Sequence, residues 1–168
     1  MKRLILIGGP MGVGKSSAAR ALAARLDKNV RLDGDWCWMA RPFVVSEETK
    51  RMVLENIRFL LGRFLRCAAY ENVIFSWVMQ RQEIVDSVLE GLPLEGVELL
   101  HINLIASPDA LAARVKADVA AGLRDSDAPA RSLAYLRAFE EMPGRKLDVS
   151  ALSPKEVAAA IEEMLRRG

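Results

Sequence analysis

The chain has 168 residues, 51% of them hydrophobic and 27% charged, with a formal net charge of +2. That length predicts one domain with a substantial core, and that composition excludes a disordered chain. The near balance of charge argues against a nucleic-acid binder that relies on a broad basic surface. Two cysteines, Cys37 and Cys67, cannot build a disulfide scaffold.

The chain opens with Leu4, Ile5, Leu6 and Ile7, an apolar run expected to form a fully buried parallel strand. It is too short for a signal peptide, and no later run is long and apolar enough to span a membrane, so a cytoplasmic protein is expected. Gly9-Pro10-Met11-Gly12-Val13-Gly14-Lys15-Ser16 follows and fits G-x-x-x-x-G-K-[ST], the phosphate-binding loop called Walker A. Glycines let such a loop aim successive N–H groups at one anion, and the next helix adds its positive N-terminal end. Lys15 serves the β- and γ-phosphates, and the Ser16 hydroxyl suits Mg²⁺. Ala18 to Leu26 supplies the helix.

Asn29 to Leu32 reads as a second strand that ends in Asp33-Gly34-Asp35, with an irregular segment through Trp36, Trp38 and Pro42-Phe43 behind it. Ser46 caps a long helix, with Glu47 and Glu48 in its first turn and Val53, Ile57, Leu60, Leu61, Phe64 and Ala68 as its core stripe. Arg51, Glu55 and Arg58 lie on another face. Val73 to Phe75 is a third strand ending at Ser76-Trp77, and a helix is expected from about Gln80 to Leu89. Glu98 to Leu104 is a fourth strand holding His101, expected as a satisfied strand histidine. Ser107-Pro108 starts the next helix. The polar segment from Gly122 to Ala130 reads as a mobile loop. Ala130 to Met142 is helical, Lys146 to Val149 a last strand, and Ser153-Pro154 opens the closing helix. Strands alternating with helices imply a parallel sheet covered on both faces, with ligands at the carboxyl ends of the strands.

This order of motifs resembles the small P-loop kinases of the nucleoside-monophosphate-kinase, shikimate-kinase and gluconate-kinase type, over nearly the whole chain. Leu32-Asp33-Gly34-Asp35 is similar to the acidic motif of gluconate kinases and adenylylsulfate kinases, and Glu55-Asn56-Ile57-Arg58 to a helical motif of the latter. Ser76-Trp77-Val78-Met79-Gln80-Arg81 departs from their Ser-Pro-Tyr-Arg loop, and the glycine pair of shikimate kinases is absent from it. The resemblance implies a three-layer α/β/α P-loop NTPase fold with a five-stranded parallel sheet, one domain over 1–168 and a short lid at about 118–132. It also implies ATP and Mg²⁺, and transfer of the γ-phosphoryl group to a small-molecule hydroxyl or a nucleotide phosphate.

The candidate residues follow. Gly9, Met11, Gly12, Val13, Gly14, Lys15, Ser16 and Ser17 would bind nucleotide, and Arg114 would lie near adenine. Lys15, Asp35 and Arg124 are the catalytic candidates, with Asp35 as general base or orienting group and Arg124 on the transferring charge. Ser16 would ligate Mg²⁺ and Asp33 would hold its water. Asp33, Asp35, Trp36, Trp38, Arg58 and Trp77 are candidates for the acceptor site. For each a plainer reading stands beside it: an Asx turn at Asp33–Asp35, core packing for the aromatics, a solvated face for Arg58. The third strand lacks an acid at its end, and Ser76 stands there. That favours an alternative in which the chain is a nucleotide-binding switch or regulatory ATPase with no acceptor. A monomer or homodimer is expected, with no nucleic-acid or membrane partner.

Overall fold

The computed structural model describes residues 1–167. Five parallel strands, β1 (Lys2–Gly8), β2 (Asn29–Asp33), β3 (Asn72–Ser76), β4 (Val97–Ile105) and β5 (Arg145–Asp148), lie in the order β2-β3-β1-β4-β5. Six helices connect and cover them: α1 (Lys15–Ala23), α2 (Glu47–Arg66), α3 (Gln82–Leu89), α4 (Pro108–Ala120), α5 (Ala128–Glu141) and α6 (Pro154–Arg167). None of them is long and apolar enough to cross a membrane.

Side chains of a strand alternate between the faces of its sheet, and a strand covered on both sides must be apolar throughout. β1 shows this directly. Ile5 and Ile7 join the core under α1, α4 and α6, with Ala19, Leu22, Leu111, Val115 and Ile161. Leu4 and Leu6 join the opposite core under α2 and α3, with Ile57, Leu61, Val85 and Val88. α5 serves both faces, Leu136 in the first and Phe139 in the second.

The helices start where their caps dictate. The Ser46 hydroxyl accepts from the Thr49 N–H while the Thr49 hydroxyl accepts from the Ser46 N–H, closing a capping box on α2. Val53, Ile57, Leu61 and Leu65, four residues apart, form its buried stripe. Ser107 caps α4, and Ser153 with Glu156 forms a second reciprocal pair at the start of α6.

Several expected boundaries move. α1 stops at Ala23, not Leu26, and α2 stops at Arg66, so Ala68 lies beyond it and is exposed. α3 starts at Gln82, which leaves Gln80 in the loop after β3. α5 starts at Ala128 with Pro129 in its first turn, so the expected 122–130 loop is shorter. Trp36 and Trp38 sit in a 3₁₀ turn, Gly34–Trp38, in place of an irregular segment. His101 is not fully satisfied: its Nε2 is buried without a hydrogen-bond partner, and burial lowers its pKa.

Gly34 is where the sheet meets that turn. The Trp77 indole packs flat against its backbone, and a Cβ added at Gly34 would lie 2.3 Å from Trp77 Cγ and 2.5 Å from Cδ1. Replacing Gly34 by Ala is expected to displace the indole and to cost about 1–3 kcal/mol of stability. Thermal unfolding together with the tryptophan emission spectrum checks this. An unchanged midpoint would show that Trp77 is not held there.

Candidate active site

The carboxyl ends of β1, β2 and β3 converge on one point. Residues at equal height in a parallel sheet point to the same face, and Asp33 pairs with Ser76 while Ser76 pairs with Ile7. All three therefore face α1, whose first turn follows the glycine-rich loop. Gly14 caps α1 with φ 109°, a left-handed conformation open to glycine, and no atom lies within 4 Å of where its Cβ would be. The loop thus keeps the approach to the helix N-terminus clear.

Asp33 is the hub. Its Oδ2 accepts from Ser16 Oγ at 2.5 Å and from Ser76 Oγ at 3.4 Å, and its Oδ1 accepts from the Asp35 N–H at 3.1 Å. The residue is buried, so these donors satisfy a carboxylate that would otherwise be costly to desolvate. Ser76 does occupy the strand end where an acid was missing, and Asp33 reaches across from the neighbouring strand to the same place.

A cleft of about 860 Å³ opens above this hub. Met11, Gly12, Val13, Gly14, Lys15, Ser16 and Ser17 line its floor, and Gly9 lies beneath them, buried and outside the lining. Lys15 Nζ donates to the Pro10 carbonyl at 2.9 Å. Burial lowers the Lys15 pKa to about 8, against the opposing pull of Asp35 and Asp33, with Arg124 adding to the fall.

Strand order divides the cleft. On the side of β4 and β5 stand Arg114, Val149, Leu152, Pro154 and Val157. The Arg114 guanidinium donates to the carbonyls of Val13 at 3.1 Å, Val149 at 2.6 Å and Ser150 at 3.2 Å, tying the phosphate loop to the β5–α6 turn. Arg124 and Arg131 come from the α4–α5 hairpin. Arg124 pairs with Asp118 at 2.8 Å and Arg131 with Asp127 at 3.0 Å. Ser132 of α5 donates to the Met11 carbonyl at 2.5 Å.

On the side of β2 and β3 stand Asp33, Asp35, Phe43, Val45, Val78 and Gln80. Asp35 is open to the cleft, yet partial desolvation of its carboxyl and the charge of Asp33 raise its pKa. Lys15, the nearby Trp77 indole N–H and Arg124 oppose the rise.

Four expected acceptor residues fall elsewhere. Arg58 forms an ion pair with Glu90, across α2 and α3, outside the cleft. Trp36 is half exposed under the Arg31 guanidinium, 4.7 Å from its ring centroid. Trp38 stands behind Phe43, ring centroids 4.7 Å apart, and braces it without lining the cleft. Trp77 covers Gly34 and touches the site only through Asp35. Gln80, Val45, Val78, Asp118 and Ser132 were not anticipated. Only Ser132 had a signal: it interrupts the apolar stripe of Ala128 and Leu136 at steps of four, where a serine needs a buried partner.

The fold recurs in solved structures. A tunicamycin resistance protein of Deinococcus radiodurans superposes with a TM-score of 0.70 at 20% identity, over 98% of this chain and 96% of that one. A gluconokinase from Sinorhizobium meliloti 1021 gives 0.64 at 22% identity, over 96% and 94%. A shikimate kinase from Acinetobacter baumannii, in complex with shikimate, gives 0.66 at 14% identity, over 99% and 94%. No curated protein matches the sequence. The chain thus has the α/β fold of small P-loop kinases, and a family model described as AAA domain matches residues 5–127, most of its length, so the chain belongs to the AAA-domain family of P-loop proteins.

Proposed function

We propose that this chain is an ATP-dependent small-molecule kinase that transfers the γ-phosphoryl group to a hydroxyl, with Asp35 as general base. The observation that carries the reading is the placement of Asp35. It lines the same cleft as Lys15 and the phosphate loop, with its proton affinity raised by desolvation and by Asp33. A base of raised pKa suits removal of a hydroxyl proton.

Ser16 and Asp33 offer hard oxygens that fit Mg²⁺: Ser16 would ligate the cation and Asp33 would hold one of its waters, with phosphate oxygens among the other ligands. The Ser16 hydroxyl would keep its hydrogen bond to Asp33 while its oxygen serves the cation. When bound, the cation neutralises charge on the β- and γ-phosphates. Lys15 leaves the Pro10 carbonyl for those phosphates. Asp35 takes the proton of the acceptor hydroxyl. As the oxygen–phosphorus bond forms, the bond from Pγ to the bridging oxygen breaks and ADP leaves with that electron pair. We read 1–168 as one catalytic unit and 118–132 as its lid, which brings Arg124 onto the transferring charge. Arg114 acts as a positioning residue beneath the base, held by three carbonyls.

The Lys15 pKa gives a pH dependence. Below about 8 the free amine carries the charge that phosphates require. Above it, binding must take up a proton, so ATP affinity is expected to fall by up to about tenfold per pH unit. Titration calorimetry from pH 7 to 10 checks this, and Lys15→Ala should flatten the profile.

Asp35→Asn is expected to lower kcat by about 10²–10⁴ and to leave ATP affinity within about threefold. Coupled ADP release with product analysis measures the first, calorimetry the second. Undiminished transfer in this variant would remove Asp35 from the chemistry. ATP turnover that no acceptor accelerates would instead favour the switch or ATPase.

A further inference from the structure

The side of the cleft beyond Asp35 has a composition of its own. Phe43 and Val45, each 60% exposed, line it, and Val78 completes an apolar wall. Trp38 supports Phe43 from behind, so the wall is braced and not a loose side chain in solvent. Exposed apolar surface grouped in a concave site marks where an apolar ligand body lies.

The ionisable side chains that line this side are acidic, with Lys15 and Arg124 acting on Asp35 from across the cleft. Asp33 and Asp35 are its ionisable groups, and among the described residues every lysine or arginine lining the cleft belongs elsewhere. Lys15 is in the phosphate loop, Arg114 is held by carbonyls at the β5–α6 turn, and Arg124 and Arg131 are on the α4–α5 hairpin. Arg58 forms its ion pair with Glu90, outside the cleft. A carboxylate or phosphate on the acceptor body would find no lysine or arginine on this wall, and Asp35 beside it.

One polar group remains unexplained. Gln80 lines this wall, and its Oε1 is buried without a hydrogen-bond partner. A buried acceptor of this kind calls for a donor, and nothing in the chain supplies one.

We propose that the acceptor is an uncharged molecule that presents its hydroxyl on an apolar, ring-sized body and donates an O–H or N–H to Gln80. This rests on the kinase reading for the transfer step, in which the hydroxyl proton passes to Asp35 and the oxygen takes the γ-phosphoryl group from ATP. It goes further in stating what the pocket selects, and it separates this chain from kinases built for acidic acceptors.

Matched probes test it: 4-(hydroxymethyl)benzamide against 4-(hydroxymethyl)benzoate, and 3-(hydroxymethyl)benzamide against 3-(hydroxymethyl)benzoate. Each is assayed for added thermal shift on the ADP·Mg²⁺ complex and for phosphorylated product with ATP·Mg²⁺. The neutral member of each pair is expected to shift the complex and to exceed its anionic partner at least about tenfold in kcat/KM. Anionic members binding as well as neutral ones would overturn the proposal and leave the kinase reading intact. Neutral members that bind without being phosphorylated would uphold the pocket and overturn the kinase reading. No added shift from either class would overturn the proposal.

Two variants sharpen the assignment. Gln80→Leu is expected to weaken the benzamides about tenfold while ATP affinity is unchanged, and unchanged benzamide affinity would remove Gln80 from recognition. Val45→Lys, at an exposed position that tolerates the change, is expected to reverse the preference within each pair. Failure to improve any anionic probe would count against the charge argument.

Discussion

A carboxylate that needs three donors holds the working end of this molecule together. Asp33 is buried at the end of β2, and an unpaired charge there would be too costly to keep. Ser16 comes to it from the phosphate loop, Ser76 from the adjoining strand, and the Asp35 N–H from the turn that follows. Each donor belongs to a different element, so satisfying one charge fixes the loop, the sheet and the turn relative to each other. Parallel register makes this possible: Asp33 and Ser76 are direct neighbours, and Ile7 stands one strand further on. The missing acid at the end of β3 is therefore no loss of chemistry. The same point in space is reached from β2, with Ser76 acting as a donor to the acid instead of as its replacement.

The cations around the cleft are engaged in different ways, and the difference bears on movement. Arg124 and Arg131 are tied to Asp118 and Asp127, partners that lie on their own hairpin and remain partly in water. Pairs of that kind contribute about 0–1 kcal/mol, so phosphates can draw the arginines away at little cost. Arg114 has three carbonyl partners in two separate segments and gains nothing by leaving them. Lys15 stands between these cases, with one carbonyl partner and a pKa lowered by burial. The hairpin residues are therefore the ones free to respond to nucleotide, while Arg114 keeps the loop in shape. Ser132 limits how far α5 can drift, because its hydroxyl is anchored to the Met11 carbonyl.

Much of this was legible in the sequence where the information is local. The phosphate loop is a contiguous pattern, and Ser46 with the stripe Val53, Ile57 and Leu61 fixes α2 through spacing alone. The acidic pair after β2 falls on the active rim because ligand sites in parallel sheets do so. What escaped depends on partners distant in the chain. Arg58 reads as a free cation until Glu90, on another helix, claims it. Trp36 reads as a pocket wall until Arg31 is seen to cover it. Gln80 reads as the start of a helix that runs to Leu89, because helix ends are the least defined part of a sequence pattern. The true start at Gln82 leaves its carboxamide beside Phe43 and Val78. Periodicity cannot register a helix that begins two residues late, nor a ring that turns outward to meet an arginine.

Asp33 and Asp35 show how two identical side chains two residues apart are given different work. In an extended strand they would point to the same face and repel each other in one environment. The 3₁₀ turn that begins at Gly34 separates them: Asp33 stays under the loop and Asp35 rises to the open cleft. That turn in turn depends on Gly34, since the Trp77 indole occupies the space any side chain would need. The donors gathered on Asp33 hold it as an acceptor of hydrogen bonds. Desolvation and the charge of Asp33 raise the proton affinity of Asp35. A buried carboxylate thus raises the proton affinity of the exposed one. Neighbouring carboxylates are commonly set apart by their environments in this way. In this chain the separation traces to one glycine and the tryptophan packed on it.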